Sequence, residues 1–218
     1  MATTGVPVTR LVRVIPWAAA CAFAAAFPVA AKGIVVNQTD SAPLFDGRCG
    51  DDEWKTSTKI ELPAQISLRL MHDAQSLFVC AKGKDDDYTV IDLYIEDRAT
   101  GYLHNLHASA QLGERVYRNG EWSESEFWNH QHWSAFWVPY AGADETEDGP
   151  RTKFLKGSHR ELQVLRRKFP GQSWKLMIGV SAVNHDGSYG AEFVYPENAS
   201  DSDSSSWTEL SFAGDHRR

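Results

Sequence analysis

Basic residues are scarce in this sequence. Lysine and arginine number 22 against 29 aspartates and glutamates in 218 residues, a formal net charge of -7. A nucleic-acid groove needs a basic patch, so polyanions are excluded as principal partners. No apolar run reaches the ~20 residues of a membrane-spanning helix, which excludes a polytopic membrane protein. Also missing are a Gly-x-Ser-x-Gly elbow, a phosphate-binding loop and a dinucleotide fingerprint. No repeat of 20 to 50 residues and no long linker divides the chain. Cysteine is nearly absent, at three residues. What the chain does have is aromatic mass: eight Trp, seven Tyr and ten Phe, with 42% hydrophobic and 23% charged residues, the balance of a globular protein.

Residues 1–31 read as a secretory signal. Arg10 and Arg13 supply a positive start, Val14 to Phe27 is apolar and Ala-rich, and Val29-Ala30-Ala31 offers small residues for cleavage. Residues 32–218 are then a single exported domain, periplasmic or extracellular, with no stable membrane insertion once the signal is gone. Cys49 and Cys80 are the cysteines left, and an even pair in an exported chain is most simply a disulfide. Two separately buried thiols are the alternative. A bridge would be worth roughly 3–4 kcal/mol through loop closure.

Period-two alternation recurs along the body of the chain, as half-buried strands require. Ile91, Leu93 and Ile95 point one way while Asp92, Tyr94 and Glu96 point the other. Trp174 to Ala182 and Ile66 to Leu70 repeat the pattern. Leu106, Ala108, Ala110 and Leu112 alternate with a polar stripe of Asn105, His107, Ser109 and Gln111, and the same parity puts His104 on the apolar face. Asn119-Gly120 is the clearest hairpin turn, since both residues tolerate positive φ. Arg160 to Phe169 fits either a short helix or a strand with Leu162 and Val164 inward. Ala141 to Pro150 and Asn198 to Ser206 read as acidic loops. Many antiparallel strands in one domain of this size predict an all-β, antiparallel β-sandwich.

Phe45-Asp46-Gly47-Arg48-Cys49-Gly50-Asp51-Asp52-Glu53-Trp54 resembles the opening of the family 9 carbohydrate-binding modules and their DOMON-like relatives. The order continues through Leu77-Phe78-Val79, Asp85-Asp86-Asp87, Ile91-Asp92-Leu93-Tyr94-Ile95 and the closing Trp207 to Phe212. The resemblance implies a jelly-roll-like sandwich that binds a mono- or oligosaccharide outside the cell, often with calcium. It supplies no residue-by-residue match between Leu106 and Trp137.

The ligand site is therefore read from the residues themselves. Sugar rings present C–H bonds that stack on aromatic faces, and hydroxyls that pair with amides and carboxylates. Trp133 and Trp137 share one strand face and are expected to stand exposed, with Trp128 nearby. The polar partners are expected to be Asp92, Tyr94, Glu96, Asn105, His107 and Gln111. Trp54, Trp174 and Trp207 are assigned to the core. Two acidic turns, Asp85-Asp86-Asp87 and Asp51-Asp52-Glu53, are candidate calcium sources. A glycosidase needs two carboxylates about 5 to 9 Å apart; Asp92 and Glu96 on one strand would stand about 13 Å apart. The expected function is thus a non-catalytic carbohydrate-binding protein. The alternatives are a haem-binding DOMON-like domain, drawing on Met71, His72, Met177 and His107, or a structural, partner-binding envelope domain.

Overall fold

The alternating segments of the sequence become paired strands almost throughout. The structure, a computed structural model, describes residues 1–2, 33–128, 130–136, 140–154 and 156–214. The expected signal segment, apart from its first two residues, lies outside the described residues, as does Trp137. The first strands are β1 (Ile34–Gln38), β2 (Thr58–Leu62), β3 (Ile66–His72), β4 (Ser76–Lys82), β5 (Val90–Asp97) and β6 (Tyr102–Ala108). Then come β7 (Leu112–Arg118), β8 (Glu121–Trp122), β9 (Glu126–Phe127), β10 (Trp133–Phe136), β11 (Tyr140–Thr146) and β12 (Gly149–Phe154). The last are β13 (His159–Leu165), β14 (Ser173–Ser181), β15 (Phe193–Tyr195) and β16 (Thr208–Phe212).

Two layers result. One runs β16-β14-β5-β6-β7, with β15 beside β14 and β8 and β9 on the edge of β7. The other runs β10-β13-β4-β3-β2. Their pairings are antiparallel, as expected, except at β1. That strand pairs in parallel with β16 through Ile34 to Val36, then in parallel with β3 through Asn37 and Gln38. It sits at the corner between the layers and joins them into one hydrogen-bonded whole. The β-sandwich is therefore mixed rather than purely antiparallel.

The facing sides of the layers form the core. Leu68 and Leu70, Leu77 and Val79, Ile91, Leu93 and Ile95, and Leu176, Ile178 and Val180 are all fully buried there. Each such side chain contributes roughly 1.5–3 kcal/mol by leaving water. Trp174 closes one part of this core, edge-on to Phe169 and Phe212, and its Nε1 donates to the Phe169 carbonyl at 2.7 Å. Trp54 is buried on the outer face of the second layer against Met71, Phe78 and the Cys49–Cys80 disulfide. The fully buried Glu161 carboxylate holds the chain there, accepting the backbone N–H groups of Asp46 (3.0 Å), Gly47 (2.7 Å) and Cys49 (3.2 Å). Gly47 has φ +75°, and a Cβ on it would come within 2.3 Å of the Phe136 ring, so only glycine fits.

Three ambiguous stretches resolve. Residues 159–165 form a strand with Leu162 and Val164 buried, followed by a 3-10 turn over Arg166–Lys168. The acidic stretch expected to be a loop is instead the β11–β12 hairpin, paired from Ala143 with Thr152 to Thr146 with Gly149. The stripe after Asn105 is not one long strand either. β6 ends at Ala108, and Ser109 bonds Gln111 through both backbone and side chain, turning the chain into β7.

Candidate functional site

Strands β5, β6 and β7 turn alternate residues away from the core, and the register lines them up. Asp92 lies opposite His107, and Tyr94 opposite Asn105, which in turn faces Arg115. Together with Gln111, Ser125, Phe127, Ser181, Glu192 and Asp201 these residues line a cavity of about 550 Å³ on the outer face of the first layer. Five residues expected from the sequence thus meet in one place: Asp92, Tyr94, Asn105, His107 and Gln111.

Their hydrogen bonds form a chain. Asp92 Oδ1 accepts from Asn105 Nδ2 at 2.9 Å and lies 2.9 Å from His107 Nδ1. A carboxylate only accepts, so His107 Nδ1 carries a proton toward Asp92, and its Nε2 lies 2.9 Å from the Ser109 hydroxyl oxygen. Arg115 Nε donates to Asn105 Oδ1 at 3.1 Å, and its guanidinium lies 4.5 Å above the Trp122 ring. Each side chain is thereby held in one orientation before any ligand arrives. Tyr94 is buried against Trp122 and Trp207. Burial, reinforced by Asp92 and Glu192, holds its phenol well above the ordinary value, partly offset by Arg115. Glu192 is also raised, by burial first and then by Asp92 and Asp201.

Six cavity residues were missed from the sequence, and the three charged ones come from separate segments of the chain. Arg115 comes from β7, Glu192 from the segment entering β15, and Asp201 from the loop before β16. One signal was available: Gly179 interrupts the apolar strand β14, and such a glycine marks a close approach. A Cβ on it would stand 2.4 Å from Glu192 Oε1 and 3.7 Å from Asp92 Cβ.

Several expected site residues lie elsewhere. Trp133 is 4% exposed, packed into the core, and donates through Nε1 to Glu114 Oε2 at 2.9 Å. It is not a stacking platform, because β10 turns Trp133 and Ala135 inward to face the other layer. Glu96 shares the outer face of β5 but does not line the cavity, and its Oε2 lies 3.9 Å from Lys175 Nζ. Trp128 is exposed, at 52%, directly after the cavity residue Phe127, itself 51% exposed. A further aromatic pair had no local signal. Tyr88 and Tyr189 are both partly exposed, with ring centroids 5.7 Å apart. The Tyr88 N–H bonds the Ala182 carbonyl, next to the cavity residue Ser181, and the buried Arg160 guanidinium donates to the Tyr88 carbonyl.

The acidic turns expected to supply calcium carry basic partners. Asp87 is fully buried and accepts the N–H groups of Lys84 and Asn184, both at 2.7 Å, with the Lys84 ammonium 3.3 Å away. Asp86 pairs with Lys156 at 3.0 Å and Asp51 with Arg69 at 2.6 Å. Lysine and arginine side chains thus face Asp86, Asp87 and Asp51. Among the described residues no three His, Cys, Asp or Glu side chains are grouped to hold a metal ion. The residues offered for haem do not converge either. Met71 packs on the outer face of the second layer and Met177 on the outer face of the first.

The sandwich with its β1 corner matches solved folds. A family 9 carbohydrate-binding module from Caldicellulosiruptor kristjanssonii, solved in complex with glucose, superposes with a TM-score of 0.50 at 15% identity. That match covers 86% of this chain and 98% of the module. The fold is that of a family 9 carbohydrate-binding module. A carbohydrate-binding protein candidate from Bacteroides uniformis superposes with a TM-score of 0.53 at 9% identity, over 83% of this chain and 99% of the other. No protein-family model matches the chain, and no curated protein matches it in sequence. Among the described residues no helix is long and apolar enough to cross a membrane.

Proposed function

We propose that this protein is an exported, non-catalytic carbohydrate-binding protein that takes a mono- or oligosaccharide in the cavity over β5, β6 and β7. The observation carrying this reading is the convergence of Asp92, Asn105, His107, Gln111 and Arg115 in one cavity beside the exposed Phe127 ring. A sugar hydroxyl both donates and accepts, and these groups offer both functions in fixed orientation. Phe127 supplies the apolar wall that the C–H face of a pyranose needs. The likeness to a module solved with glucose supports the same reading. Export is supported by the signal-like composition of residues 1–31 and by the disulfide.

Each new hydrogen bond to a sugar replaces bonds to water, for a net gain of only about 1 kcal/mol. Dissociation constants should therefore fall between about a micromolar and a millimolar. Isothermal titration with glucose and short β-glucans tests this directly. His107→Ala and Gln111→Ala should each weaken binding about tenfold with a nearly unchanged melting temperature. Wild-type affinity in both variants would place the site elsewhere. No binding to any sugar, with a co-purifying protein instead, would favour a partner-binding envelope domain.

A further inference from the structure

The charge of the cavity is one-sided. Asp92, Glu192 and Asp201 bring three carboxylates to it, and Arg115 brings the one permanent cation. That cation is committed: its Nε bonds Asn105, its plane covers Trp122, and its Nη2 lies 3.8 Å from Asp201. His107 is tied to Asp92 through Nδ1 and to Ser109 through Nε2. Asp92 has two partners, whereas Glu192 has no hydrogen bond or ion pair within the described structure.

Glu192 is nonetheless placed with care. Its Oε1 and the Asp92 Cβ both lie within 4 Å of the point where residue 179 would carry a Cβ, and that residue is glycine. The sheet thus leaves room for a second carboxylate beside Asp92, solvent-exposed and lining the same cavity. Partial burial first, and then the nearby Asp92 and Asp201 charges, hold Glu192 above its ordinary value, and carboxylates this close repel each other. A neutral hydroxyl relieves little of that repulsion. A ligand ammonium relieves it directly, bonding Glu192 and facing Asp92.

We propose that this cavity prefers a sugar bearing a free amino group, such as a glucosamine unit, over its neutral or acidic counterparts, with Glu192 as the ammonium acceptor. The inference rests on the sugar-binding reading above and adds the substrate class to it.

The experiment is titration of the folded protein with glucosamine, glucose and glucuronate near neutral pH, at low and at high ionic strength. Glucosamine should bind about 5- to 10-fold more tightly than glucose at low salt, the scale of one partly exposed charge pair. The advantage should shrink at high salt. Glu192→Gln, which keeps shape and removes charge, should abolish the advantage of glucosamine over glucose. Glucose binding with glucosamine no tighter overturns the proposal and leaves the sugar site standing. So does an unchanged advantage in Glu192→Gln, or tighter binding of glucuronate. If none of the three sugars binds, the site reading itself fails and the preference falls with it.

Discussion

Replacing Trp133 by alanine separates a core ring from a ligand-stacking one. In the structure the indole is almost wholly enclosed, in the same core cluster as Leu162 and Val164 of β13, with the His130 ring tilted against it at 4.9 Å. Deleting a buried Trp side chain costs about 3–5 kcal/mol in transfer and cavity terms. The Nε1 bond to the Glu114 carboxylate is lost too, worth about 1–2 kcal/mol more because the acceptor is charged. Lys168 and His104 still face Glu114 at 2.9 and 3.0 Å, so the carboxylate keeps partners and the total should stay near 4–6 kcal/mol. For a domain of this size that lowers the melting temperature by about 10–20 °C. Trp133→Phe keeps most of the volume and should lose only about 1–2 kcal/mol. Urea denaturation followed by circular dichroism reads both values, and sugar titration of the surviving folded fraction reads function. A loss below about 1 kcal/mol in Trp133→Ala, accompanied by loss of sugar binding, would show that the ring faces solvent and that the core assignment is wrong.

Two further outcomes are expected. His159 is pushed down to about 4 from an ordinary 6.5 by burial, with Lys82 and Arg69 adding to it, so the fold holds it neutral. The unfolded chain takes up that proton first, so the contribution is complete above pH 6.5 and falls away as pH drops toward 4. Partial exposure discounts the loss to about 1–2 kcal/mol; His159→Gln should flatten the pH dependence of urea midpoints in that window, and an unchanged slope would assign it to other groups. Reduction of Cys49–Cys80, which closes a separation of 31 residues, should lower stability by roughly 3–4 kcal/mol, and an unmoved midpoint under reductant would count against the bridge.

The core strands were legible because alternation of period two is a local property. Ile91, Leu93 and Ile95 are buried and Asp92 faces the other way, as their spacing requires. Trp133 shows where the same rule stops. Spacing correctly grouped 133 with 135 on one face, but with an aromatic at 136 on the other, polarity could not tell which face was inside. The inter-layer partner decided it. The remaining cavity residues depend on pairing across the whole chain. Glu192 reaches Asp92 only because β15 follows β14 back across the sheet, and Tyr88 meets Tyr189 across 100 residues of sequence. Nothing local announces such meetings, apart from the glycine at 179 that makes room for one of them. The acidic turn at Asp85–Asp87 shows the same limit, since the Lys156 that pairs with Asp86 lies 70 residues away in sequence.

The parallel pairing of β1 with β16 has a mechanical consequence. The first strand of the domain lies beside the last, both running the same way, so tension applied between the two chain ends acts along the strands in opposite directions. The hydrogen bonds from Ile34 to Val36 are then loaded together in shear instead of being peeled apart one after another. The continuation of β1 onto Asn37 and Gln38 passes part of that load to the second layer. The cavity on β5, β6 and β7 lies off that line, away from the strands that carry the strain.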